Sequence, residues 1–533
     1  MTKKKSFRML LAAAFALTLV GGLGAVGEAN AAPTGKAPWA EGAPTTGSIK
    51  ITKTDDKNGN AKVKGAGFTV TQVTEINGKA VNTNSYAGWE NIAKNIDAMN
   101  KGTATVTTGT KHAEQMTDGN GETTFSSLPV GLYQVEETTI PAGHTVDVKK
   151  FYMTIPEITG TDSTSLTYNY DVKVNPKNVN ESGNVSKSDP SGTVVGAGAN
   201  TSYTVTAKLN KSKGKEQGAK DLTKADIQKF AIFDDVQVDA FETPTEAVVG
   251  EVKAGETLLT LNDDYKISVT ADPAGAGYDA GTRTRVQVTF TEAGLEKIAT
   301  EANKAGNAGK NIPVTAVFNL KLKADLSGAM KDSKGNVVVI NKYGFIPGHG
   351  EGENPPDPVV PNPGKPDPDK PKPTDPTMKF GDFQIKKTDA TDSAALKDAE
   401  FIAFAKKADA DNCVKSDDRS NCSGVAAEYG TKTTGTDGKT EAYKAKVGQE
   451  FYVVEKKAPS GYILSDKVTA VTVTAGSNVF ETAITNVRTK DSGKWFNLPR
   501  TGAIGVGIFA LLGAGLVAGG TAMHVRSRRR EDA

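Results

Sequence analysis

The sequence predicts an all-β protein built from tandem β-sandwiches with short helical insertions, a signal peptide and a C-terminal membrane-spanning helix. Three observations carry this. Short alternating runs of apolar and polar residues recur along the chain with turn signals between them. One such segment is repeated near the C-terminus, so a domain type is duplicated. The two ends carry apolar stretches of different length and different flanks. At 533 residues the chain is long enough for several domains. Its 64 Lys and Arg nearly balance its 62 Asp and Glu, so charge gives no reason to expect a nucleic-acid partner.

At the N-terminus, Lys3, Lys4, Lys5 and Arg8 precede an apolar run from Met9 to Val20 and a small-residue site at Ala29-Asn30-Ala31. This is the order of a secretory signal peptide, 1–31, and it places the mature start near Ala32. The first β-rich segment spans 47–178. Ile49, Ile51 and Lys53 share one strand face, and 68–73 alternates again. Between the strands, Trp89, Ile92, Ile96 and Met99 recur at helical spacing. A second segment, 179–348, has strands expected at 203–207, 231–236, 284–290 and 336–341. Helices are expected there at 222–230 and 292–305. Residues 349–377 are rich in Pro, Lys and Asp and read as an extended, partly polyproline II spacer. From 378 to 488 the first segment's pattern returns. Phe383 to Asp389 repeats Ile49 to Asp55, and Phe451 to Tyr462 repeats Leu132 to His144, with Glu455 aligned to Glu137.

The C-terminal stretch 498–533 has three parts in order. Leu498-Pro499-Arg500-Thr501-Gly502 is followed by an apolar run over 503–525, then by Arg526, Arg528, Arg529 and Arg530. The run is about long enough to cross a bilayer as a helix, which takes roughly 20 residues. The arginines keep the tail on the cytoplasmic side. This stretch resembles the cell-wall sorting signal of Gram-positive surface proteins. The resemblance implies cleavage of the Thr501–Gly502 bond by a sortase and transfer of the Thr501 carbonyl to an amine.

Each β-rich segment also offers a lysine on its first strand, an acid and a late asparagine. Burial lowers a lysine's pKa and raises an acid's, so the amine becomes a nucleophile and the acid a proton donor. Beside an asparagine carboxamide, such a set can form a Lys–Asn isopeptide bond and release ammonia. The segments resemble the CnaA- and CnaB-type immunoglobulin-like modules of Gram-positive surface proteins, which implies tandem immunoglobulin-like β-sandwiches. Tyr452, Glu455, Ala458, Pro459, Gly461 and Tyr462 carry that family's E-box. The resemblance implies a Lys387–Asn486 bond with acid Glu455. The corresponding sets are Lys187, Asn341 and Asp234 in the middle segment, and Lys53, Asn178 and Glu137 in the first. In the first segment, Ile140 and His144 stand where the pattern has Ala and Tyr.

Val174-Asn175-Pro176-Lys177-Asn178 resembles the pilin motif, which makes Lys177 the expected acceptor amine, with Lys173 as the alternative. Proline fixes φ and removes a ladder donor, so Lys177 is expected at an open strand end or edge. The chain as a whole resembles the major shaft subunit of sortase-assembled pili, of the Actinomyces type. That resemblance implies a local Cys413–Cys422 disulfide. It implies identical subunits, a pilus-specific class C sortase, a tip pilin, peptidoglycan and host or bacterial surface receptors as partners. The location implied is the cell wall or fimbrium, with transient anchoring in the membrane. A monomeric wall-anchored adhesin is the second reading. No cofactor or metal site is expected, because the four histidines are scattered, and no enzyme signature is present.

Overall fold

The computed structural model describes residues 35–489, apart from 56–60, 142, 147, 161–165, 191–193, 210–220, 275, 308–309, 351–355 and 477–478. The signal peptide, the LPRTG motif, the apolar run at 503–525 and the arginine tail lie outside the described residues. Among the described residues, no helix is long and apolar enough to cross a membrane. The chain is mostly β and folds as two compact units. One holds the described residues up to 190 together with 198–379, and the other holds 194–197 and 380–489.

The first unit begins with a sandwich. Strand Thr46–Thr52 lies between Asp171–Val174, which runs parallel to it, and Glu122–Pro129, which runs antiparallel. Facing it is a sheet in which Gly131–Thr139 pairs with Gly67–Ile76 and Lys150–Ile155. Ile49, Ile51, Phe68, Val70, Phe125, Tyr133 and Val135 fill the space between. Each fully buried side chain of this size contributes about 1.5–3 kcal/mol. The helical insert forms as its spacing predicts. Helix Tyr86–Asn100 starts at Ser85, whose side chain accepts from the Gly88 amide. Its Trp89, Ile92, Ile96 and Met99 pack on Val73, Ile76, Leu132 and Tyr152.

The same unit continues with a second sandwich. Strands Asn200–Lys208 and Pro313–Lys321 centre one sheet. Ala231–Gln237, between Arg283–Phe290 and Lys342–Ile346, centres the other. Helix Glu292–Asn303 matches the expected one and is capped by Thr291. The helix expected over 222–230 is instead a single 3-10 turn, Lys224–Asp226, with a Thr223/Asp226 capping box. Lys229 has a φ of 62°, which a right-handed helix cannot continue through.

The Pro-rich stretch differs from the free spacer its composition suggests. Phe345 and Val359 exchange backbone hydrogen bonds of 3.1 and 2.8 Å, and the Gly364 amide donates to Ala276 O at 2.7 Å. Val360 packs with Phe233, Ala276, Tyr278 and Ile346. The segment from 356 to 376 is therefore a strap laid on the second sandwich. Two adjacent valines in a polar run supply its apolar anchor.

The second unit is a third sandwich. Strand Thr377–Asp389 pairs in parallel with Phe480–Asn486 and antiparallel with Tyr443–Lys446. The opposite sheet centres on Glu400–Phe404 and Glu450–Lys457. Phe383 and Phe451 meet edge to face across the core, their centroids 5.4 Å apart. Residues 194–197 extend this unit's first sheet. Ala197 N donates to Lys444 O, Lys446 N donates to Val195 O, and Tyr443 Oη donates to Ala197 O, at 2.8, 2.8 and 2.9 Å. The approach is close enough that a Cβ on Gly196 would lie 2.2 Å from Lys444 O, so glycine is required there. Cys413 and Cys422 are joined in a disulfide beneath Ile402, Phe404 and Val454.

Candidate functional site

The three lysine–acid–asparagine sets meet inside their sandwiches, through a register that two of them share. In the third sandwich, Asp389 faces Asn486 across a parallel pair. In the first, Asp55 faces Asn178, also across a parallel pair, between Thr54–Asp55 and Lys177–Asn180. In both, the lysine stands two residues before the aspartate. Two residues is one strand repeat, so Lys387 and Lys53 project from the same face as those aspartates, into the core. The acid comes from a strand of the opposite sheet, Glu450–Lys457 or Gly131–Thr139.

The contacts are short. Lys53 Nζ lies 2.7 Å from Glu137 Oε2, and Asn178 Nδ2 donates to Glu137 Oε1 at 2.9 Å. Lys387 Nζ donates to Asn486 Oδ1 at 2.6 Å and lies 3.5 Å from Glu455 Oε1. Asn486 Nδ2 donates to both Glu455 oxygens, at 2.8 and 3.0 Å. In the second sandwich, Lys187 Nζ bonds Asp234 Oδ2, and Asn341 Nδ2 lies 3.4 Å from the same oxygen. Tyr203 presents its ring 4.4 Å from that ammonium. Lys53, Asn178, Asp234, Asn341 and Lys387 have no exposed surface, and Glu137, Glu455 and Asn486 have almost none.

Burial decides the proton affinities. It pulls the Lys187 ammonium down to about 8, although Asp234 attracts the charge. It pushes the Asp234 carboxyl up, although Lys187 opposes that. It lowers Lys387 to about 8 against the pull of Glu455. Lys187 and Lys387 thus approach the neutral form that attacks carbon, and Asp234 approaches the protonated form that donates. Two carboxamide oxygens, Asn178 Oδ1 and Asn341 Oδ1, are buried without a hydrogen-bond donor, as is Asp234 Oδ1. Half a turn of the asparagine carboxamide would set its oxygen against the acid, where a proton polarises the C–O bond. The arrangement can pass a proton from Nζ to the departing Nδ2, so that an Nζ–Cγ amide forms and ammonia leaves.

Beside two of these sites lies a polar layer in which the E-box position Tyr462, or His144, joins an aspartate and a second polar side chain that the motifs do not mark. Asp389 accepts from Tyr462 Oη at 2.8 Å and from Arg488 Nε. In the first sandwich the same positions are Asp55, His144 and Asn180. Asn180 Nδ2 donates to Asp55 at 3.0 Å, and His144 Nε2 is 4.0 Å from it. In each sandwich, the aspartate of the layer faces the site's asparagine across the strand pair. The duplicated Thr-Asp pairs, 54–55 and 388–389, were its sequence signal.

Lys177 differs from expectation in its setting. It does open strand Lys177–Asn180, but that strand is the middle one of three, and Lys177 is half-buried. Proline at 176 removes one amide without making the strand an edge, because Pro176 O still accepts from Thr54 N at 3.3 Å. Lys173 is exposed and sits on Asp171–Val174, at the edge of its sheet. Among the described residues there is no His, Cys, Asp and Glu group that could hold a metal.

Comparison with known proteins agrees with this architecture. The prealbumin-like fold domain of the SpaA type matches residues 47–169 and 381–488, in the first and third sandwiches. The fimbrial protein FimP from Actinomyces oris, 20% identical, shares the fold with a TM-score of 0.51, covering 86% of this chain and 98% of that one. The type 1 fimbrial subunit of Actinomyces viscosus is 27% identical over 91% of this chain and 88% of its own length. The type 2 fimbrial subunit of Actinomyces naeslundii is 30% identical over 90% of this chain and 86% of its own length. This chain belongs to the family of fimbrial subunits that these two Actinomyces proteins represent.

Proposed function

We propose that the protein is the major structural subunit of a covalent fimbrial shaft and not an enzyme. A class C sortase cuts Thr501–Gly502 and passes the Thr501 carbonyl to Lys177 of the next subunit. Lys–Asn bonds at 387–486, 187–341 and 53–178, aided by Glu455, Asp234 and Glu137, hold each sandwich closed. The chain is exported, held briefly in the membrane by 503–525, and incorporated into a fimbrium joined to peptidoglycan. A tip pilin and surface receptors complete the assembly. Supporting this is one combination: a chain of a fimbrial-subunit family carries both an LPxTG signal and a Pro-Lys-Asn lysine at the end of its first sandwich. Head-to-tail joining of unlike surfaces does not close on itself, so it yields a filament.

Boiled wall extracts of the producing cell should show an SDS-resistant ladder that collapses to monomer in Lys177→Arg. A ladder that survives Lys177→Arg and disappears in Lys173→Arg moves the nucleophile to the exposed neighbour. A single wall-linked species in the wild type supports the monomeric adhesin instead.

A further inference from the structure

The strap on the second sandwich ends in a fourth lysine–acid–asparagine set, with Lys342 and Asp375 buried and Asn362 half-buried. Lys342 follows Asn341 and turns its side chain away from Asp234 toward the strap. Its Nζ lies 2.5 Å from Asp375 Oδ2 and donates to the backbone oxygen of Asn362 at 2.9 Å. Asn362 Nδ2 donates to Asp375 Oδ1 at 2.9 Å and to Thr374 Oγ1 at 2.6 Å. The Lys342 and Asp375 side chains are 3% and 2% exposed. One carboxylate therefore holds an ammonium with one oxygen and a carboxamide with the other. Glu137 does the same with Lys53 and Asn178. Tyr343 Oη, donating to Thr374 O at 3.0 Å, fixes the strap beside the site.

We propose that Lys342 Nζ and Asn362 Cγ are joined by a fourth intramolecular amide, formed with Asp375 as the proton-transferring acid, which fastens the Pro-rich strap to the second sandwich. The lysine nitrogen attacks Cγ, Asp375 carries a proton from Nζ to Nδ2, the Cγ–Nδ2 bond breaks, and ammonia leaves. Burial lowers the Lys342 pKa despite the opposing attraction of Asp375, and the nearby Arg283 charge lowers it further. An unlinked pair would leave an ammonium and a carboxylate desolvated together, which yields little net stability. The amide removes both that ammonium and the carboxamide's second donor.

The inference rests on the chemistry proposed for the three sandwiches, and the test reads each pair separately. Trypsin acts on the unfolded, mature chain, and the fragments are weighed and sequenced in the mass spectrometer. The bond predicts that no cut follows Lys342, so residues 335–379 stay in one piece, lighter by one ammonia, about 17 Da, beyond the one lost where Asn341 is joined to the Lys187 peptide. Release of 343–379 at full mass by cleavage after Lys342 overturns the inference. If the other three pairs are linked in that sample, it fails alone; if none is linked, the shared chemistry fails with it. A loss of about 18 Da with the link on Asp375 overturns the choice of acceptor. In Asp375→Ala, cleavage after Lys342 should return, and a link that persists there overturns the role given to the acid.

Discussion

Glu455→Gln removes the acidic proton from the third sandwich while keeping the side chain's size. Gln retains an oxygen for the Ser465 amide, which donates to Glu455 Oε2 at 2.8 Å. It keeps a donor and an acceptor for Asn486 but cannot shuttle a proton from Lys387. The bond would then fail to form in an otherwise native core. Lys387 and Asn486 are separated by 99 positions. Closing a loop of that size restricts the unfolded chain by about 4.7 kcal/mol, taking the cross-link as entropically equivalent to a disulfide. For a sandwich of this length that is a fall of roughly 20 °C in the midpoint of its transition. Intact mass gives the chemical half of the assay. The variant keeps an ammonia, about 17 Da, and loses about 1 Da by the substitution, so it should be about 16 Da heavier than wild type. Calorimetry of the same sample gives the energetic half. A variant about 1 Da lighter than wild type has formed the bond without the acid and refutes the proton-transfer argument. A variant that is unlinked yet melts within a few degrees of wild type refutes the loop-closure argument.

Asn341→Ala blocks the bond in the second sandwich and leaves Lys187 free to titrate. The folded lysine releases its proton near 8, while the unfolded one holds it to about 10.4. Between those values the unfolded chain binds more protons, so stability should rise with pH, by at most about 3 kcal/mol. Urea titrations at several pH values should show this slope, and adding Lys187→Met should abolish it; a fall with rising pH would contradict the assignment. Arg285→Met would strand Asp235, which Arg285 holds at 2.7 and 2.9 Å and which Tyr278 Oη also meets at 3.0 Å. A loss of about 3–5 kcal/mol is expected, partly recovered by adding Asp235→Asn, and a loss under about 1 kcal/mol would show the pair to be solvated. Replacing Cys413 and Cys422 by serine opens a loop spanning 9 positions, worth about 2–3 kcal/mol, which should appear as a lower midpoint for the third sandwich alone.

Much of the site was legible because strands have a period of two. Alternation put Lys53 with Ile49 and Ile51, and Lys387 with Phe383 and Ile385, and all six are buried. In Ala231–Gln237, parity also chose Asp234 over Asp235, since one faces Lys187 and the other Arg285. The strap was not legible. Its prolines and charges read as solvated, and its attachment depends on Val359, Val360 and Asp375 meeting residues distant in sequence. Nor was the setting of Lys177, because proline at 176 says nothing about which strands flank 177–180.

The sequence by itself determined the all-β class, the duplicated sandwich and the strand faces on which Lys53, Lys387 and Asp234 lie, because these follow from local alternation and from repetition. Only the tertiary structure decided how deeply each lysine is buried, how its acid and asparagine are hydrogen-bonded, and that a Pro-rich segment closes over Lys342. Burial and distance depend on how separate strands pack, and hydrophobic burial, unlike strand alternation, has no sequence period that names its distant partner.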